Sequence, residues 1–142
     1  MKFLFKLSRF DNAGLVILRL ALAVIFLVHG TMKWSMWSMQ PSDQLPASML
    51  TILRILSIAE PTAAICLILG FLTPVATFGL SIVMIGAINL KMNIMNLKFM
   101  ERQGSGWEFE FLILFGLVCL FLSGAGKFSL DRLLFRKEDR ES

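Results

Sequence analysis

Charged residues are what this sequence has least of. Asp, Glu, Lys and Arg make up 17% of its 142 residues, where an ordinary soluble domain carries about 25%. Hydrophobic residues make up 56%, more than a soluble domain of this length has interior to bury. A soluble globular enzyme is therefore excluded, and so is a disordered segment, which needs the opposite composition. Cysteine is equally scarce. Cys66 and Cys119 are the two present, each inside an apolar run, with no Cys-x-x-Cys and no paired Cys/His clusters at zinc-binding spacing. That excludes a disulfide-stapled secreted module and a local dithiol redox centre, and no metal site is expected. The two cysteines read as small buried hydrophobes. Internal repeats, low-complexity stretches and cofactor-binding motifs are also absent.

What the sequence does have is four apolar stretches, at about 12–33, 49–72, 74–97 and 107–123. Each is long enough to cross a hydrocarbon core of ~30 Å as a helix rising ~1.5 Å per residue. None shows the alternation of barrel strands. The expected fold class is all-α: an integral membrane four-helix bundle, one transmembrane domain over 1–142, with a short C-terminal interfacial helix. The punctuation agrees. Pro41 and Pro46 mark a polar loop, and Gly70, Thr73 and Pro74 a tight turn, with proline at a helix start. Residues 98–106 form the next loop. Gly124 and Gly126 close the fourth stretch, and Ser129 is placed to cap a helix over 130–135. There Leu130, Leu133, Leu134 and Phe135 stand beside Arg132, Arg136 and Lys137, as on a helix lying at a membrane surface.

Lys2, Lys6 and Arg9 ahead of an apolar run resemble a secretory signal. No small-x-small cleavage site follows, and the run continues into His29 and Lys33, so a retained first span is expected. With four spans, the side holding both termini carries Lys2, Lys6, Arg9, Lys127, Arg132, Arg136, Lys137 and Arg140. The other side carries Lys33, Lys91, Lys98 and Arg102. The positive-inside rule then places both termini in the cytoplasm. The net charge of +4 reads as topology, and no nucleic-acid partner is implied; the partner that composition demands is the lipid bilayer.

Ionisable groups at membrane depth are costly and usually face the protein interior, so each is a functional candidate. Counting from the outer ends of their stretches places Arg19 and Glu60 roughly 5 Å apart in depth. They are expected to face each other, either as a structural ion pair or as part of a working site. Pro61 should leave the carbonyl of Ser57 without its helical partner. Nearer the outer surface, His29 and Lys33 share a helix face, and Glu108 and Glu110 open the fourth stretch. Arg54, Trp34, Trp37 and Trp107 are expected at the same level, the tryptophans as an interfacial belt. Arg19, His29, Glu60 and Glu110 are the catalytic candidates. A ligand pocket facing outward would add Lys33, Trp107 and Glu108. Each also has a plainer reading: His29 as a packing residue, Lys33 as a snorkelling anchor, Asn89, Asn93 and Asn96 as interhelical hydrogen-bonders.

These residues resemble a known family. Arg19-Leu-Ala-Leu with His29-Gly30 and Lys33, then Glu60 followed by Gly70-Phe-Leu-Thr73-Pro74, then Gly106-Trp107-Glu108-Phe109-Glu110, and finally Gly124 to Asp131 resemble the DoxX family of small bacterial four-helix membrane proteins. Where some relatives are expected to carry a histidine in the third stretch, this sequence has Asn89. The family is similar to the membrane subunit of thiosulfate:quinone oxidoreductase. The resemblance implies an inner-membrane oxidoreductase component or accessory subunit, with a quinone as diffusible acceptor and a redox partner supplying electrons. His29 with Glu60 or Glu110 would exchange protons, and Arg19 would stabilise anionic charge. The alternative is a non-enzymatic scaffold or a subunit binding lipid or a small hydrophobic ligand, possible as a homo-oligomer in either case.

Overall fold

A computed structural model describes residues 11–102, 104 and 106–135. The basic residues Lys2, Lys6, Arg9, Arg136, Lys137 and Arg140 lie outside the described residues. All regular structure among the described residues is helical: α1 (Asp11–Met32), a 3₁₀ turn (Lys33–Trp37), α2 (Ala47–Leu69), α3 (Thr73–Asn89) continued by a π-helical turn (Leu90–Ile94), α4 (Glu108–Ser123) and the short α5 (Leu130–Phe135). Among the described residues, three segments are long and apolar enough to cross a membrane: Asn12–Trp37, Ala47–Leu69 and Thr73–Ile94. At 16 residues α4 is shorter, about 24 Å at the helical rise.

Apolar residues surround these helices instead of forming one stripe. The inward set is narrow: Leu22, Ala23 and Phe26 of α1, Ala64 and Leu67 of α2, Ala76, Leu80 and Met84 of α3, and Ile113, Leu117 and Leu120 of α4. Their spacings of three and four keep each set on one helix face. The opposite faces expose Ile17, Val24, Ile55, Ile58, Phe78, Ile82, Leu112 and Leu122. A helix apolar all round suits a lipid surround. In such a surround, apolar neighbours in sequence do not imply burial, which corrects the reading of the cysteines: Cys66 is half-buried and Cys119 exposed. Hydroxyls follow the same economy of partners. Thr31, Thr51, Thr62, Thr77 and Ser81 each donate to the carbonyl four residues earlier in their own helix, which leaves no unmet donor on a lipid-facing surface.

Helix α1 packs chiefly on α2, and α3 on α4. Helix α2 ends in a Schellman motif: Gly70 takes φ +64°, Phe71 N–H donates to Cys66 O at 2.9 Å, and Gly70 N–H to Leu67 O at 3.2 Å. Leu72 follows at φ +48°, a left-handed conformation that costs a non-glycine residue about 1–2 kcal/mol. The segment after α4 stabilises it. The Asp131 carboxylate accepts from Leu72 N–H at 2.6 Å and Thr73 N–H at 3.0 Å, and Asp131 N–H donates to Gly70 O at 2.9 Å. Asp131 thus caps the start of α3, while Ser129 Oγ accepts from Arg132 N–H to cap α5.

Candidate functional site

Between the α1–α2 pair and the α3–α4 pair lies a cavity of about 440 Å³. Phe26, Leu53, Leu56, Met84 and Ile113 supply apolar wall, and His29, Lys33, Glu60, Asn89 and Glu110 are its polar lining. Each helix pair brings its own ion pair there. Lys33, just past the end of α1, places Nζ 2.5 Å from Glu60 Oε2 and donates also to His29 O at 3.2 Å. The Glu60 side chain is only 3% exposed, against 21% for Lys33. On the opposite wall, Lys91 Nζ sits 2.8 Å from Glu110 Oε1 and 2.9 Å from Oε2, and donates to Gly106 O at 2.7 Å. Lys91 belongs to the π-helical turn, where Met95 N–H donates back to Leu90 O at 3.0 Å. Such one-turn widenings recur at functional sites. His29 is exposed yet lines the cavity, its ring centroid 6.4 Å from that of Phe109.

The N-terminal half of α2 is held by the segment after α1. Pro61 has no N–H for the Ser57 carbonyl, and the indole N–H of Trp34 donates to that oxygen at 2.9 Å. Trp37 donates to Ser57 Oγ at 2.9 Å. Arg54 donates to the carbonyls of Met36 and Met39 and stands over the Trp37 ring at 5.8 Å. This is more than an interfacial belt: two tryptophans and an arginine strap the 3₁₀ turn to the helix.

Arg19 and Glu60 do not meet. The Arg19 guanidinium donates to Ala125 O at 2.6 Å and Phe128 O at 2.9 Å, beside Gly70 at the far end of α2. Glu60 lies instead opposite Gly30, ten residues and so about 15 Å from Gly70 along the helix. The expectation failed because it started both helices at one outer level. With Trp34 bonded to Ser57, the first ten residues of α2 project past the end of α1, about 15 Å, and shift Glu60 up to the level of Gly30. Arg19 therefore holds the segment after α4 and does not line the cavity.

Of the remaining candidates, Trp107 packs edge-on against Phe99, with centroids 4.6 Å apart, off the cavity wall. Glu108 is half-buried, its Oε2 without a hydrogen-bond partner among the described residues. His29, Lys33, Glu60 and Glu110 do converge on the cavity. Lys91 and Phe109 went unnoticed in the sequence as site residues. The usable signal for Lys91 was its place at the end of the third apolar run, facing the start of the fourth. No group of three or more His, Cys, Asp or Glu suited to a metal ion occurs among the described residues.

A family model described as DoxX matches residues 14–93, more than half of the chain. The chain belongs to the DoxX family. The matched stretch carries Arg19, His29, Lys33, Glu60, Asn89 and Lys91; Glu110 and the segment from Gly124 to Asp131 lie beyond it. No curated protein and no solved structure matches this DoxX chain. Family membership together with the three apolar helices makes it a membrane protein whose outer faces contact the lipid bilayer. For a DoxX protein in that setting, the cavity is a largely apolar space with ammonium, carboxylate and imidazole groups in its lining, within the range of ~300–1,000 Å³ typical of small-molecule sites.

Proposed function

We propose that this DoxX protein is the quinone-binding component, or an accessory subunit, of a membrane oxidoreductase. The observation that carries the reading is that Lys33, its partner Glu60, Glu110 and His29 line one largely apolar cavity, with Lys91 paired to Glu110. A quinone head is a flat apolar ring bearing carbonyl acceptors. The walls suit the ring, and the ammonium and imidazole donors suit the carbonyls. His29, Glu60 and Glu110 stand where protons would be exchanged with a reduced head. Arg19 has no part in this proposal, because its donors are engaged by Ala125 and Phe128. With no cofactor motif in the chain, electrons come from a redox partner subunit or directly from a substrate. The protein is a four-helix bundle in the bacterial inner membrane with α4 as the fourth span, both termini cytoplasmic, the cavity's polar end outward, and self-association compatible with its apolar faces.

The test is titration of a tail-less dimethoxy-methylbenzoquinone into the purified protein, followed by quinone reduction with thiosulfate as donor in wild type and Glu60→Gln. Saturable binding and slowed turnover in Glu60→Gln are expected. Unchanged turnover would remove Glu60 from the chemistry. The second reading, a non-enzymatic scaffold or lipid-binding subunit, is favoured by one observation: both cavity carboxylates already have lysine partners. Absence of quinone binding and of turnover in both proteins would leave that reading in place.

A further inference from the structure

Helices α2 and α3 are joined by the tight turn at Gly70–Leu72, and near it Ala64 and Leu67 pack with Ala76 and Leu80 in the core. Farther from the turn the two helices no longer cover each other. The cavity takes its α2 lining from Met49, Ile52, Leu53, Leu56 and Glu60, and its α3 lining from Val83 onward to Ile94. Several of these lining residues are also open to the surroundings: Ile52 is 52% exposed and Ile94 70%, and Gly86 is exposed with room for a Cβ that would meet nothing within 4 Å. A residue that both lines a cavity and is exposed marks its mouth. All three lie inside segments long and apolar enough to cross a membrane, and an opening between two such segments is set toward hydrocarbon.

The rim chemistry agrees. Met49, Ile52, Gly86 and Ile94 offer no charge to guide a polar solute. The exposed Asn89 is occupied by a hydrogen bond to its Oδ1 from Asn93. On the opposite side, between α1 and α4, His29 and Phe109 also line the cavity and are exposed, so a second opening lies there, with an imidazole on its rim.

We infer that the cavity opens sideways between α2 and α3 into the bilayer, and that its ligand is an amphiphile whose long apolar chain threads this opening while its head stays at the two lysine–glutamate pairs. This builds on the binding proposal above and adds the ligand's class and its route: it arrives from the membrane, tail still in lipid. A polar metabolite from the aqueous phase has no comparable entrance at this mouth.

The experiment uses the full chain in proteoliposomes with stearate spin-labelled near its methyl end, read by electron paramagnetic resonance. A motion-restricted fraction is expected in wild type. Gly86→Trp plugs the mouth from α3, where space is open, and Ile52→Trp plugs it from α2; each should lower that fraction at least two-fold. Phe78→Trp on the outer face of α3, away from the cavity, should leave it unchanged. Equal fractions in wild type and both plugged variants, or an equal drop in Phe78→Trp, would overturn the sideways opening. Binding of the tail-less quinone to wild type is measured in the same preparations. Its failure, with the spin-label difference intact, removes the quinone reading and keeps the opening; the reverse pattern does the opposite.

Discussion

Pro61 carries no amide hydrogen, so the Ser57 carbonyl one turn earlier has no helical partner, and the Trp34 indole takes that place at 2.9 Å. Trp34→Phe removes the donor and keeps most of the ring. An unsatisfied carbonyl in an apolar setting costs about 1–3 kcal/mol, and we expect a lower unfolding midpoint in detergent. If this account is right, the loss depends on the proline. In a Pro61→Ala background, residue 61 regains an N–H for Ser57, and Trp34→Phe should become nearly neutral. Equal losses in both backgrounds would refute it. A second residue-scale expectation concerns Lys33. Lys33→Met leaves the buried Glu60 carboxylate without its cation, and breaking such a pair costs about 3–5 kcal/mol. The double variant Lys33→Met/Glu60→Gln removes both charges and should recover most of the thermal stability. The proline defect and the carboxylate of Glu60 inside an apolar run were both legible in the sequence, because each breaks a rule for apolar helices. The partners were not. Nothing in the spacing of Trp34 and Ser57 says that their helices approach with this offset.

At the scale of the element, the contact between α1 and α2 depends on one missing side chain. A Cβ at Gly30 would sit 2.6 Å from Pro61 Cγ, closer than real Cβ atoms come, and 3.1 Å from Glu60 Cβ, a tight contact. In an isolated helix, glycine to alanine stabilises by about 1 kcal/mol. Here Gly30→Ala should instead lower the unfolding midpoint and weaken the Lys33–Glu60 pair; a raised midpoint would show that α1 can shift without penalty. The segment after α4 is held by a different device. Arg19→Met would release the carbonyls of Ala125 and Phe128, and faster amide exchange is expected across 124–131, with exchange in the middle of α3 unchanged. Unaltered exchange in the closing segment would mean that Asp131 alone holds it. Helix existence was readable from apolar runs, and the turn at Gly70 from its residue types, because glycine and proline act locally. The pairing of Arg19 with Glu60 was misread because depth depends on where each helix starts. The 3₁₀ turn that sets this is fixed by long-range hydrogen bonds from Trp34, Trp37 and Arg54.

For the whole molecule, a ligand that binds the folded state alone stabilises it by about 2.7 kcal/mol at one hundred times its dissociation constant. A benzoquinone carrying a long isoprenoid tail should therefore raise the unfolding temperature of wild type and leave that of Gly86→Trp unmoved. An equal rise in both variants would place binding elsewhere. The sequence pointed to a polar pocket, and His29, Lys33, Glu60 and Glu110 of that expectation do line the cavity; the cavity's extent could not be read, because no residue type announces a place where packing stops.

One ion pair lies within each helix pair: Lys33 meets Glu60 across α1 and α2, and Lys91 meets Glu110 across α3 and α4. Arg19 is different, because its partners are made late. Once residues up to Leu69 have left the ribosome, Lys33 is at hand for the buried Glu60 carboxylate, but the carbonyls of Ala125 and Phe128 that accept from buried Arg19 follow only after α4. The first hairpin is thus matched at one end long before the other. A segment made late locks a helix made early.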